Sequence, residues 1–216
     1  RERTRILPGR PVTPRARGKL RPMKILAFDA STHWLSVACG DGDAWSTRNE
    51  RAGEGSSERL LPLIDAVLRE AGLGLGDLDG IAFGAGPGSF TGVRIACGVA
   101  QGLALGAART LVPVSTLEAL AEAAWRDRGA SRVVACVDAR MREVYVAAYE
   151  RTGDRWHERH APVVLLPERT TLPGVQGWYG VGDGFGAYPA LAGTLELASA
   201  DAEAKPDARA IATLAL

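Results

Sequence analysis

Asp29-Ala30-Ser31-Thr32 is the first place in this 216-residue sequence where residue types and spacing could do chemistry. A carboxylate that closes a strand and faces a small polar turn can hold a divalent cation while backbone N–H groups approach phosphate. Close approach needs glycine, and Ala30 and Ser31 stand there instead. Asp138-Ala139-Arg140-Met141 repeats the pattern, again without glycine, so Asp29 and Asp138 are read as structural turns. The second candidate is the glycine-dense segment 84–106, GAGPGSFTGVRIACGVAQGLALG, since a glycine-rich loop running into a helix can cradle an anion. A phosphate loop requires GxxxxGK[ST], but Gly92 is followed by Val93 and Arg94, and Ser89 occupies the place of the third glycine of a dinucleotide fingerprint. A structural reading uses more of these residues. Gly86, Pro87 and Gly88 make a turn, Ser89 or Thr91 caps a helix, and small residues recur at every fourth position beyond it. Gly92, Ala96, Ala100 and Ala104 form one shallow ridge, and Gly98, Gly102 and Gly106 another, each suited to close packing or to docking a partner.

Other chemistries find less support. The three histidines are His33, His157 and His160; the last two fall in HERH within a strand-like stretch, with no third ligand in view, so no metal is expected. Cys39, Cys97 and Cys136 lie far apart in apolar runs, which suits buried thiols of a cytoplasmic protein. No GxSxG elbow and no evident Cys–His pair is present, so no catalytic residue and no cofactor is expected. Trp34, Trp45, Trp125, Trp156 and Trp178 are scattered and read as core or interface anchors. The net charge of +1 conceals an asymmetry: residues 1–22 carry eight Lys or Arg and one Glu, leaving an anionic remainder poorly suited to gripping RNA alone. That leader has no apolar signal core and is expected to be flexible or extraneous, with Met23 the natural start. The apolar run around residues 103–114 is broken by Gly106, Arg109 and Pro113, so no membrane span is expected.

The elements that must position these residues follow from periodicity. Strands are expected at 25–29, 34–39 and 44–49, with a tight turn at 40–43. Leu60, Leu61, Ile64, Val67, Leu68 and Ala71 have helical rhythm, with Ser56 or Ser57 as N-cap and Pro62 either near the first turn or kinking the helix. A buried strand at 80–84, a helix at 91–105, a strand at 111–114 and a helix at 117–128 complete a βββαβαβα unit. The opening then recurs, since VVACVDARMREVYVAAYERTGD aligns with ILAFDASTHWLSVACGDGD and places Asp138 where Asp29 was. Two related units are implied, 23–130 and 131–216, the second degenerate and with its clearest later strand at 176–181. The fold class is α/β: two ribonuclease-H-like half domains of the actin-like ATPase architecture. The helix-like run 206–216 ends without a cap, and a continuation is expected.

MKILAFDAST with LSVA, SERLLPLID, the segment 84–106, VSTLEALA and VDARMREVYVAAY resemble the TsaB (YeaZ) family, in order and at matching intervals, from Met23 to about Glu150. The resemblance implies a noncatalytic subunit that pairs with a TsaD-like catalytic subunit and a TsaE-like ATPase to make N6-threonylcarbamoyladenosine beside the tRNA anticodon. It further implies a partner face on the first two helices, able to form a homodimer when the partner is absent, with tRNA met only through the complex. Here that face is Leu60, Leu61, Ile64 and Leu68 on the first helix, with Phe90, Thr91, Gly92, Arg94, Ile95, Ala96, Gly98, Val99 and Gly102 on the second. The alternatives are an ATP-binding phosphotransferase, suggested by the architecture, and a glycoprotease-like peptidase.

Overall fold

The computed structural model describes residues 21–42, 44–51 and 55–216. Residues 1–20 of the basic leader and Asp43 of the expected turn lie outside the described residues.

Strands β1 (Lys24–Asp29), β2 (Trp34–Asp41) and β3 (Ala44–Arg51) form an antiparallel meander. Helix α1 (Ser56–Glu70) crosses over to β4 (Gly80–Gly84), parallel to β1, and α2 (Phe90–Ala107) crosses to β5 (Thr110–Val114), parallel to β4. The sheet order is β3-β2-β1-β4-β5. Helix α3 (Thr116–Arg128) leads into a second meander, β6 (Arg132–Arg140), β7 (Glu143–Thr152) and β8 (Arg155–Leu165). Then come β9 (Tyr179–Val181), α4 (Gly184–Ala187), α5 (Ala190–Thr194), β10 (Ser199–Asp201) and α6 (Ala208–Ala215). The second sheet, β10-β9-β6-β7-β8, repeats the first strand for strand. The molecule is therefore two ribonuclease-H-like halves of the actin-like ATPase architecture, the second degenerate, with only short helices in its crossovers.

The first sheet is buried on both faces, as parallel central strands require. Period-two alternation along β1 sends Leu26 and Phe28 toward α1 and α2, and Ile25 and Ala27 toward the opposite face. That opposite face is covered by Ala119 and Ala123 of α3 and by Ala208, Ala210, Ile211 and Ala212 of α6. Although α6 follows the second sheet in sequence, it packs on the first. Asp207 caps it, accepting from Arg209 N at 2.6 Å and Ala210 N at 3.2 Å. The hydroxyl of Ser36 on β2 accepts the Ala208 amide at 2.8 Å and donates to Asn49 at 2.6 Å.

One local expectation needs correction. Helix α1 starts at Ser56 with Gly55 as its cap residue, so neither serine is the N-cap; Pro62 lies inside the helix, in its second turn. Helix α2 has 18 residues and a mean hydropathy of 1.3, long and apolar enough by length and composition to cross a membrane. Its first turn is wedged against the β1–β2 turn and its small-residue stripe lies on the first sheet, with only 22% of the helix buried.

Candidate functional site

The carboxyl ends of β1 and β6 face each other across a cleft of about 620 Å³. Its walls come from both halves: Ser31, Thr32 and His33 with Gly88 to Gly92 on one side, Val137 to Met141 with Tyr145 and Asp183 on the other.

Asp29 ends β1 but does not face the cleft. It is 1% exposed and accepts from the Ser31 amide at 2.8 Å and the Ser31 hydroxyl at 2.8 and 3.1 Å. A Cβ added to Gly84 would fall 1.8 Å from its Oδ2, so the carboxyl is turned into the sheet toward β4. The Ser31 hydroxyl accepts in turn from Thr116 at 3.3 Å. Gly84, Gly88 and Gly92 form a ladder at four-residue spacing, and a Cβ on Gly88 or Gly92 would meet the carbonyl oxygens of Ser31 or Ala30 at 2.4 and 1.9 Å. Glycine at these places lets the entry of α2 lie directly on the β1–β2 turn. The Gly86–Pro87 bond is cis, the Ser89 amide donates to Ser31 O at 2.7 Å, and the Ser89 hydroxyl caps α2 by accepting from Gly92 N at 3.5 Å. Gly86, Pro87, Gly88 and Ser89 join the turn to the helix.

Burial pushes the Asp29 carboxyl up to about 6 from its ordinary 3.8, the Ser31 hydrogen bonds opposing the shift. Between those two values the folded state holds a proton that the unfolded chain has released, so this group's contribution to stability falls as pH rises. Roughly two pKa units correspond to about 3 kcal/mol. The unfolding free energy of Asp29→Asn, read by urea titration, is expected to gain about that much on the native protein between about pH 4 and pH 7. A difference that does not change with pH would reject the assignment.

The second half repeats the arrangement with different chemistry. Cβ atoms on Gly182 and Gly184 would strike Cys136 O at 2.1 Å and Cys136 Sγ at 2.4 Å, so β9 delivers its loop against the end of β6 as β4 does against β1. Asp183, between those glycines, accepts from the Asp138 amide at 3.0 Å, and Asp138 pairs with Arg140 at 3.3 Å. Burial first, and the neighbouring Asp138 charge, raise the Asp183 carboxyl above the usual range. Across the cleft Arg140 meets His33 Nε2 at 2.6 Å. Sequence reading singled out neither Asp183 nor this contact; the parallel between GVGDG at 180–184 and GAGPG at 84–88 was the available signal. Among the described residues no three His, Cys, Asp or Glu side chains converge as a metal set. Burial also holds the Cys39 thiol at about 11 and the Cys136 thiol at about 12, so neither supplies a thiolate nucleophile near neutral pH.

The expected partner face divides in two. Leu60, Ile64, Leu68, Gly92 and Ala96 are buried, Leu60, Ile64, Leu68 and Ala96 in the core beneath α1 and α2, and are unavailable to another protein. The ridge of Gly92, Ala96, Ala100 and Ala104 is thus an internal contact. Leu61, Phe90, Thr91, Arg94, Gly98 and Gly102 are exposed, and Ile95 and Val99 half-buried. Phe90 is 69% and Leu105 84% exposed, Arg94 lies 3.6 Å over the Phe90 ring, and Cβ atoms on Gly98, Gly102 and Gly106 would meet open space. The second ridge is therefore bare, flanked by large apolar side chains.

The family model described as TsaD, tRNA N6-adenosine threonylcarbamoyltransferase, matches residues 49–178. The tRNA threonylcarbamoyladenosine biosynthesis protein TsaB of Escherichia coli (strain K12) is 43% identical over 173 residues, which cover 78% of this chain and 75% of that protein. The solved structure of YeaZ from Pseudomonas aeruginosa superposes with a TM-score of 0.80 at 39% identity, over 89% of this chain and 90% of that one. Another, described as an uncharacterized protein with similarity to peptidase YEAZ from Pseudomonas aeruginosa, gives 0.83 at the same identity and coverage.

Proposed function

Because the chain belongs to the TsaB family and takes part in tRNA threonylcarbamoyladenosine biosynthesis, we propose that it acts there as a noncatalytic partner subunit, pairing with a TsaD-like catalytic subunit and bringing in a TsaE-like ATPase. The bare face of α2 carries this reading. An 18-residue apolar helix that buries only Gly92, Ala96, Ala100 and Ala104 leaves most of its length to solvent, and glycines on its outer side let a second helix approach closely. Exposed Phe90, Leu61 and Leu105 supply apolar anchors at the margins. The pair meets tRNA as a unit, and in the partner's absence two copies can meet through the same face.

The cleft supports partnership over catalysis. Asp29 is sequestered in the sheet and tied to Ser31, so the residue that would hold a metal beside phosphate faces away from the space where phosphate would lie. The phosphotransferase alternative requires that carboxylate, and a thiol peptidase cannot draw on Cys39 or Cys136. Reconstitution decides between them. With tRNA, threonylcarbamoyl donor, ATP and the TsaE-like ATPase, the TsaD-like subunit from the same organism should form the modified base only when this chain is added. Full-rate modification in its absence overturns the proposal.

A further inference from the structure

The β6–β7 hairpin turns on two residues, Met141 and Arg142, between the paired Arg140 and Glu143. A two-residue turn that suits the twist of its strands takes positive φ, which glycine and asparagine reach most readily. Elsewhere the chain conforms: the β7–β8 turn has Gly153 at its first position with φ 61°, and the β2–β3 turn has Gly42 with φ 59°. At 141–142 it does not. Met141 and Arg142 hold φ values of 50° and 68°, in the left-handed region that is unfavourable for residues with side chains. Residues that break a local rule of this kind are kept for what their side chains do. Yet Met141 is 91% exposed, and Arg142 is exposed and has no ion pair among the described residues.

The tip stands at the cleft of about 620 Å³, whose lining includes Met141 from the second half and Phe90, the first residue of α2, from the other. Arg94, stacked on the Phe90 ring, also has no carboxylate partner among the described residues. Two exposed apolar side chains, each beside an unpaired guanidinium, therefore mark the cleft, although residues 23–216 carry more acidic than basic side chains. Resting on the assignment of α2 as the partner face, we infer that the Met141-Arg142 tip is a second contact for the same TsaD-like subunit, which brings an acidic segment with a projecting apolar side chain to the cleft. The apolar side chain meets Met141 and Phe90, and its flanking carboxylates meet Arg142 and Arg94. Continuity favours this occupant, because Phe90 belongs both to the bare helix and to the cleft, so a protein that covers α2 already reaches this place. Nucleic acid fits less well: phosphate has use for the arginines but none for the exposed Met141, and the surrounding charge repels it.

Rewriting the turn tests this. Met141→Asn with Arg142→Gly supplies the pair that such turns prefer, so the isolated chain should melt about 2–4 °C higher. In titration calorimetry its affinity for the TsaD-like subunit should nevertheless fall about tenfold. Arg142→Glu, which leaves the turn as unfavourable as before, should weaken pairing by a similar factor, and the loss should shrink as added salt screens the reversed charge. Gly102→Arg, measured beside them, reports on α2 alone. Weak pairing of Gly102→Arg with native affinity in both turn variants overturns the tip contact and leaves the α2 face standing, whereas native affinity in all three overturns both. A turn variant that melts no higher than the native chain shows that Met141-Arg142 suits its turn, and this too overturns the inference. Binding of tRNA by the isolated chain that is abolished in Arg142→Glu, with pairing untouched, assigns the tip to phosphate instead.

Discussion

Gly102→Arg is expected to separate pairing from folding. The chain should keep its fold while its affinity for the TsaD-like subunit drops at least about 100-fold, or about 2.7 kcal/mol. The glycine lies inside an α-helix, exposed, with nothing within 4 Å of an added Cβ, so the new side chain meets no atom of its own molecule. Helix propensity favours arginine over glycine there by about 0.5–1 kcal/mol, and thermal stability should hold or rise. Against a closely packed second helix the same side chain brings bulk and an unpaired charge, two distinct penalties. Leu61→Glu, on the exposed side of α1, should weaken pairing in the same direction. Titration calorimetry with the partner, beside a melting curve of the isolated chain, reads both quantities. Unaltered affinity for Gly102→Arg would remove α2 from the interface, and a collapsed melting temperature would contradict the open space above Gly102.

Glu122→Ala should give the largest loss of stability, about 3–5 kcal/mol by urea unfolding. Glu122 of α3 is 5% exposed, and its Oε2 accepts from Arg151 of β7 at 2.6 Å and from the Trp156 indole of β8 at 2.7 Å. The Arg151 guanidinium lies between the Trp125 and Trp156 rings, 5.0 and 5.5 Å from their centroids. Removing the carboxylate leaves a cation enclosed by aromatic rings and an indole N–H without an acceptor. Replacing both charged partners, as in Glu122→Leu with Arg151→Met, should recover the part of the loss that comes from the stranded cation, while the Trp156 N–H still lacks its acceptor. A single variant as stable as the native chain would mean that water reaches this network.

Much of the architecture was legible because it is written twice. The strand pattern of the opening recurs after residue 132, and period-two alternation in LAFD and VVACV assigns both sheets without reference to helices. The division of the α2 face was not legible. Small residues run along two stripes, and spacing alone does not say which of them rests on the sheet; the deciding facts are the Ala30 and Ser31 carbonyls beneath Gly92 and Gly88. On α1 the apolar rhythm marked the helix correctly, yet the same regularity that placed Leu60, Ile64 and Leu68 on a common side placed them in the core, leaving Leu61 outside. The Glu122–Arg151–Trp156 network joins an alanine-rich helix to two later strands and has no local signature. The pairing of His33 with Arg140 follows from two turns being brought together by the fold as a whole.

Helix α6 also sets an order of events during synthesis. Ile25, Ala27, Ala38 and Ala82 are made early, but with α3 alone their face is only partly covered until residues 208–212 have left the ribosome. The opening meander must therefore wait, with its alanine-lined side partly open, while the whole second sheet is translated. A chaperone that shields small apolar residues would have its longest opportunity during that interval.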